Sequence, residues 1–185
     1  MTETFSRHIA RGIRAAILGA ILLPAGFAHA APPTAFDPRL SFVLPADLAR
    51  DALQQCSRTT PTGVQDTWLP TGAQIRELEA HLPPALARAL TAHGGSNRAR
   101  AVMRHLHNVG LQYAGFVVAG RKIIYVNGFP VRKVDFDGTD TFAGLLDAAK
   151  DDHAIVVCDG GDSFFGVEYD PAKKTFAHFA FNGVV

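Results

Sequence analysis

Near residue 110 the apolar pattern of this chain switches from a helical period to a period of two. A chain patterned this way is constrained to lay helices on a sheet. Ile75, Leu78, Leu82, Leu86 and Leu90 recur at spacings of three and four and predict one apolar stripe on a helix over residues 72–92. Pro83-Pro84 falls inside it and predicts a kink, or a split into two short helices. His93-Gly94-Gly95 reads as a stop, and Ser96 or Asn97 as the cap of a second helix with Ala99, Met103, Leu106 and Val109 or Gly110 on its apolar side. From Leu111 the alternation begins. Residues 113–119 and 121–127 flank Gly120 and predict a β-hairpin. An acidic turn at 135–140, a helical turn at 142–149 and an apolar strand at 153–158 follow. A strand at 163–169 comes next, with Phe165, Val167 and Tyr169 on one face. Asp170-Pro171-Ala172-Lys173-Lys174 is a turn, and 175–182 the last strand. The expected fold is α+β, with N-terminal helices packed on an antiparallel β-meander of four to five strands.

The N-terminus bears on location. Arg7, Arg11 and Arg14 precede an apolar run, 15–28, that ends in Ala28-His29-Ala30. This is the layout of a secretory signal peptide, cleaved after Ala30. The run is broken by Gly19 and Pro24 and is shorter than the roughly 20 residues a membrane span needs. No cysteine lies near the cleavage site to carry a lipid anchor. The expectation is a periplasmic or secreted protein that does not span a membrane. Residues 31–50 read as a leader and connecting segment, with three prolines in 31–38, and residues 51–185 as one α+β domain. Three of the 18 basic and one of the 17 acidic residues fall in 1–30, which leaves a net charge of −1. With no Lys/Arg run, neither a nucleic-acid footprint nor a membrane-surface patch is present.

Cys158-Asp159-Gly160-Gly161-x-x-Phe164-Phe165-Gly166-Val167-x-Tyr169-Asp170 is the most distinctive stretch. Gln112-Tyr113-Ala114-Gly115 and Ile124-Tyr125-Val126-Asn127 precede it. Together these segments resemble small exported bacterial proteins of uncharacterised function, over roughly residues 55–185. The resemblance implies no activity and transfers no catalytic residue. The order of helix and meander is also similar to cystatin-like folds, an analogy of fold alone.

Cys56 and Cys158 are the only cysteines. In an exported chain they predict a disulfide, which would tie the helical front to the Asp-Gly-Gly segment. By loop-closure entropy a loop of about 100 residues contributes on the order of 4 kcal/mol. The competing reading is a nucleophilic Cys158 beside His105, His107, His153 or His178. Asp159-Gly160-Gly161-Asp162-Ser163 carries two left-handed-tolerant glycines between carboxylates; it reads as a tight turn held by its aspartates, and alternatively as a cation-binding loop, though it lacks the acidic spacing and terminal Glu of a calcium loop. His105-Leu106-His107 is the one close histidine pair, but no spacing demands the three or four converging ligands of a zinc site, so no metal or cofactor is assigned. Arg98, Arg100 and Arg104 read as the solvated side of the second helix, Lys173-Lys174 as part of a turn, and Trp68 as a loop residue. Phe164 and Phe165 must point to opposite sheet faces. One is core, and the other lies under a helix or forms an exposed aromatic contact.

No nucleophile–base set or phosphate loop is visible, so no catalytic residue is assigned. The expected function is that of a binding or interaction protein, an inhibitor, immunity-type or envelope module with a protein partner. Its surface would include Asp159, Gly160, Gly161, Asp162, Phe164 and Phe165. The alternative is a small periplasmic hydrolase using Asp159 and Asp162 with a histidine.

Overall fold

The computed structural model describes residues 35–132 and 142–183. The expected signal segment, the first four residues of the leader (31–34) and the acidic turn at 135–140 lie outside them. The fold grows from a hairpin. Strand β3 (Val109–Val118) turns through Ala119 and Gly120, both at positive φ (49° and 72°), into β4 (Arg121–Pro130). Positive φ at both central residues is the two-residue turn that matches strand twist. The two strands pair over their full length, from Val118↔Arg121 to Val109↔Pro130. β5 (Phe165–Asp170) and β6 (Thr175–Phe181) extend the meander, each antiparallel to its neighbour.

Two strands precede the helix, which departs from the expected order. β1 (Ser41–Val43) runs parallel to β3, and β2 (Val64–Trp68) antiparallel to it; both lie along the same edge of β3. The fold is therefore α+β with a mixed six-stranded sheet, rather than helices followed by a purely antiparallel meander. Trp68 is not a loop residue but the end of β2. Its Nε1 donates to the Phe116 carbonyl at 3.0 Å, and the Lys122 ammonium sits 4.8 Å above its ring. A Cβ on Gly115 would fall 2.1 Å from the Trp68 carbonyl oxygen, so only glycine admits this strand so closely.

Helix α1 (Gly72–Met103) starts at a capping box: Thr71 Oγ1 accepts from Gln74 N at 3.3 Å, and Gln74 Oε1 from Thr71 N at 2.9 Å. Pro83-Pro84 does not split it. The helix has non-helical dihedrals only at Gly95 (φ 83°, ψ 169°). Leu78, Leu82, Leu86 and Leu90 are fully buried on both sides of the proline pair. At roughly 1.5–3 kcal/mol each, they outweigh the about 3 kcal/mol an interior proline costs and hold one continuous stripe on the sheet. The expected second helix ends at Met103; Leu106–Asn108 form a 3-10 turn and Val109 already belongs to β3.

The leucine stripe packs on Leu111, Tyr113, Ile124, Val126, Phe165, Val167 and Tyr169. Tyr113 donates to Glu79 Oε1 on α1 at 2.7 Å, as does Ser41 Oγ at 2.5 Å. On the opposite face, Leu44, Ala49 and Ala52 cover Phe116, Ile123 and Tyr125, while Ala149 of α2 (Ala143–Lys150), Ile155 and Phe164 cover Phe129. β6 carries a bulge. Glu168 pairs with Ala177 but Gly166 with Ala180, and His178 takes a left-handed φ of 54°. The extra residue resets the alternation, so Phe176, Phe179 and Phe181 all join the core on the α1 side.

The expected strand at 153–158 is absent. That segment crosses the sheet face as a strap and has no ladder partner. Its alternation of Ile155 inward and Val156 outward imitates a strand. Side-chain amides replace the ladder. Gln112 Nε2 donates to the His153 carbonyl (2.7 Å), and Ile155 N donates to Gln112 Oε1 (2.8 Å). Asn127 and Gln55 both donate to the Ile155 carbonyl, at 2.8 and 3.0 Å. Asn182 Nδ2 donates to the Val157 and Asp159 carbonyls, at 2.6 and 2.8 Å. The Arg58 guanidinium donates in turn to Asn127 Oδ1, Asn182 Oδ1 and the Tyr125 hydroxyl. Cys56 and Cys158 form a disulfide pair at the end of the strap, with Cα atoms 5.1 Å apart.

The cysteine pair closes a span of 102 residues, so reduction should lower stability by on the order of 4 kcal/mol. Urea denaturation with and without reductant measures it, and an unchanged midpoint would contradict the clasp. A second expectation concerns the three tyrosines. Burial pushes Tyr113 well above its ordinary value, with the Glu79 charge adding. Burial also raises Tyr125, against the opposing pull of Arg58, and Tyr169, with Glu77 adding. Since the folded phenols hold their protons more tightly than unfolded ones, stability falls as pH rises above about 10. Phenolate absorbance should therefore emerge together with alkaline unfolding; a native titration of any tyrosine near its ordinary value would contradict this.

Candidate functional site

The Asp159–Ser163 segment joins the strap to β5. Gly160 and Gly161 are both left-handed (φ 93° and 61°), and a Cβ on Gly160 would lie 2.4 Å from the Phe164 ring. Gly161–Ser163 form a 3-10 turn. Gly161 N donates to the Gly183 carbonyl at 3.0 Å, and Phe164 N to the Gly161 carbonyl at 3.0 Å. The turn is thus held by backbone and by Asn182, where its aspartates were expected to hold it.

The two phenylalanines do point to opposite faces, and both are buried, at 1% and 0% exposure. Phe165 sits in the α1-side core. Phe164 lies edge-on to Phe142 (5.4 Å, 82°), with Ala149 and Ile155 around it. Of the two alternatives for the second phenylalanine, burial under a helix is the one formed, and the exposed aromatic contact is not, because the strap and the α2 region cover that face.

Asp162 is the informative residue. Its side chain is 4% exposed, and its oxygens contact Arg98 Nε and, at 3.5 Å, His93 Nε2. Neither oxygen is aligned with a hydrogen-bond donor, so the ion pair carries the compensation for its burial. His93 stacks on Phe181 at 4.9 Å. Arg98 is exposed, as expected of the solvated side of the second helix, but its Nε also reaches the buried Asp162. Gly94 makes room for it, since a Cβ there would lie 2.4 Å from Arg98 Cδ. The expected stop at Gly94-Gly95 is present, since Gly95 is non-helical and separates two helical halves, but nothing in the sequence shows that His93 and Arg98, on either side of it, converge on Asp162.

Beside this pair lies a cleft of about 530 Å³. Ala101, Val102 and His105 form one wall, Gly160 and Ser163 another, and Val109, Pro130 and Phe142 supply apolar surface, with Asn108 and Arg132 adding polar groups. Asp162 bridges the two walls, because Arg98 lies one turn before Ala101 and Asp162 lies between Gly160 and Ser163. The two aspartates do not converge: Asp159 is exposed, while Asp162 is buried against α1. Cys158 is held in the disulfide pair and not free as a nucleophile. The His105 and His107 rings are 6.3 Å apart, and among the described residues no group of three His, Cys, Asp or Glu side chains is placed to hold a metal ion. Among the described residues no helix is long and apolar enough to cross a membrane. Comparisons with family models, curated proteins and solved structures return no match.

Asp162→Asn should loosen the distal half of α1. Because Arg98 is half-exposed, the loss should be about 1–2 kcal/mol, between that of a surface and a buried pair. Hydrogen exchange should rise over residues 96–108 with the β3–β4 amides unchanged; exchange rising equally everywhere would show that Asp162 has no local role.

Proposed function

We propose that the chain is an exported binding protein, periplasmic or secreted, whose cleft between the distal half of α1 and the Gly160–Ser163 turn receives an apolar group of a protein partner. The observation that carries this reading is the cleft itself. It is about 530 Å³, apolar over most of its wall, and within the size range of ligand sites. The absence of a converged acid–base set around Asp159 and Asp162 favours binding over hydrolysis. The Cys56–Cys158 pair suits an oxidising compartment.

The reading is tested by partner capture from an envelope extract, with the disulfide-bonded protein immobilised and bound proteins identified by mass spectrometry. Ala101→Trp fills the cleft from an exposed helix position. It should leave the fold intact and weaken the specific partner at least about tenfold, or 1.4 kcal/mol. A partner held equally by wild type and Ala101→Trp would remove the cleft from the interaction.

A further inference from the structure

A second pocket, of about 430 Å³, shares no lining residue with the cleft. It lies where Thr59, Thr60 and Thr62, just past Cys56, approach Arg121, Tyr125, Glu168 and His178. We propose that this pocket binds a neutral saccharide.

The chemistry of the wall carries the argument. Tyr125 and Glu168 are cross-strand partners and share one face. The Tyr125 hydroxyl accepts from Arg58 Nε at 3.3 Å. Three threonines, Thr59, Thr60 and Thr62, line the same space, and Thr60 Oγ1 already donates to the Leu53 carbonyl, which leaves its oxygen free to accept. Pro61 and Val118 give the pocket its apolar surface, against which the C–H face of a sugar ring can lie. The charged groups of the wall are already engaged. His178 Nδ1 lies 3.0 Å from Glu168 Oε1, and Arg121 Nη1 lies 3.4 Å from Asp170 Oδ2. An entering ion would have to compete with these contacts. A ligand rich in hydroxyl groups suits a wall of threonines, an imidazole and a carboxylate.

His178 adds an independent mark. Its φ of 54° is one that glycine adopts without cost and histidine does not. The bulge explains the backbone but not the side chain. The imidazole held there has Nδ1 occupied by Glu168 and its side chain 74% exposed, which leaves Nε2 directed away from the carboxylate. Strain retained at a residue that lines a pocket is the pattern of a binding position.

The test is an NMR titration of the isotope-labelled, disulfide-bonded protein with N-acetylchitotriose, maltotriose and, as an anionic control, citrate. Saturable shifts at Thr59, Thr60, Thr62, Tyr125, Glu168 and His178 are expected with at least one saccharide below about 10 mM, and none with citrate. His178→Gly removes the imidazole and relieves the backbone. It should melt at the same or a higher temperature and bind the saccharide at least tenfold more weakly. Failure of both saccharides to saturate, saturation by citrate, or undiminished binding by folded His178→Gly would each overturn the proposal.

Discussion

The arrangement depends on how one strap of backbone is satisfied without a strand beside it. Residues 153–159 cross a sheet face where every buried peptide group needs a partner. Gln112, Asn127 and Asn182 stand where a ladder would be; the first two hold His153 and Ile155, and the third holds Val157 and Asp159. Arg58 then fixes the orientation of two of those amides by occupying their oxygens, so their nitrogens are left to donate. Removing Gln112 leaves the Ile155 N–H and the His153 carbonyl without these bonds, and removing Asn182 does the same for the Val157 and Asp159 carbonyls; a buried group left unpaired costs roughly 1–3 kcal/mol. The disulfide pair sits two residues from Arg58 and ends the strap at Cys158. Both the Gly160–Gly161 turn and one wall of the cleft start from this anchored point.

Sequence periodicity reveals an element when it is long enough to repeat. The β3–β4 hairpin, β5 with Phe165, Val167 and Tyr169 inward, and the leucine stripe of α1 are all visible that way. β1 and β2 are three and five residues long, too short to show a period, and their edge is set by β3 rather than by their own pattern. The strap fails for the opposite reason. It has the alternation of a strand but lies across the sheet instead of within it, and alternation reports which side is buried, not who supplies the hydrogen bonds.

The site was legible in part. Two adjacent phenylalanines on a strand do face opposite ways, but the fate of Phe164 depends on α2 and the strap, which are distant in sequence. Arg98 is one of three arginines at regular helical positions, and nothing local separates it from Arg100 or Arg104. What singles it out is the break at Gly95 and the buried carboxylate of Asp162, a contact across 64 residues of chain. The parity change at His178 is also invisible in composition, since a bulge shows only in the pairing with Glu168 and Gly166.

Asn182 has a consequence for the order of assembly. It supplies both bonds to the strap's Val157 and Asp159 carbonyls and one of the three acceptors of Arg58. β5 and β6, which lie just before it, complete the core beneath α1. The contacts that close both faces of the sheet therefore pair early residues with very late ones, up to 124 positions apart. Such non-local closure makes folding slow relative to helical domains of the same size. It also means that a partly emerged chain locks only in part: until Asn182 arrives, the Val157 and Asp159 end of the strap, which carries Cys158, lacks its own seat.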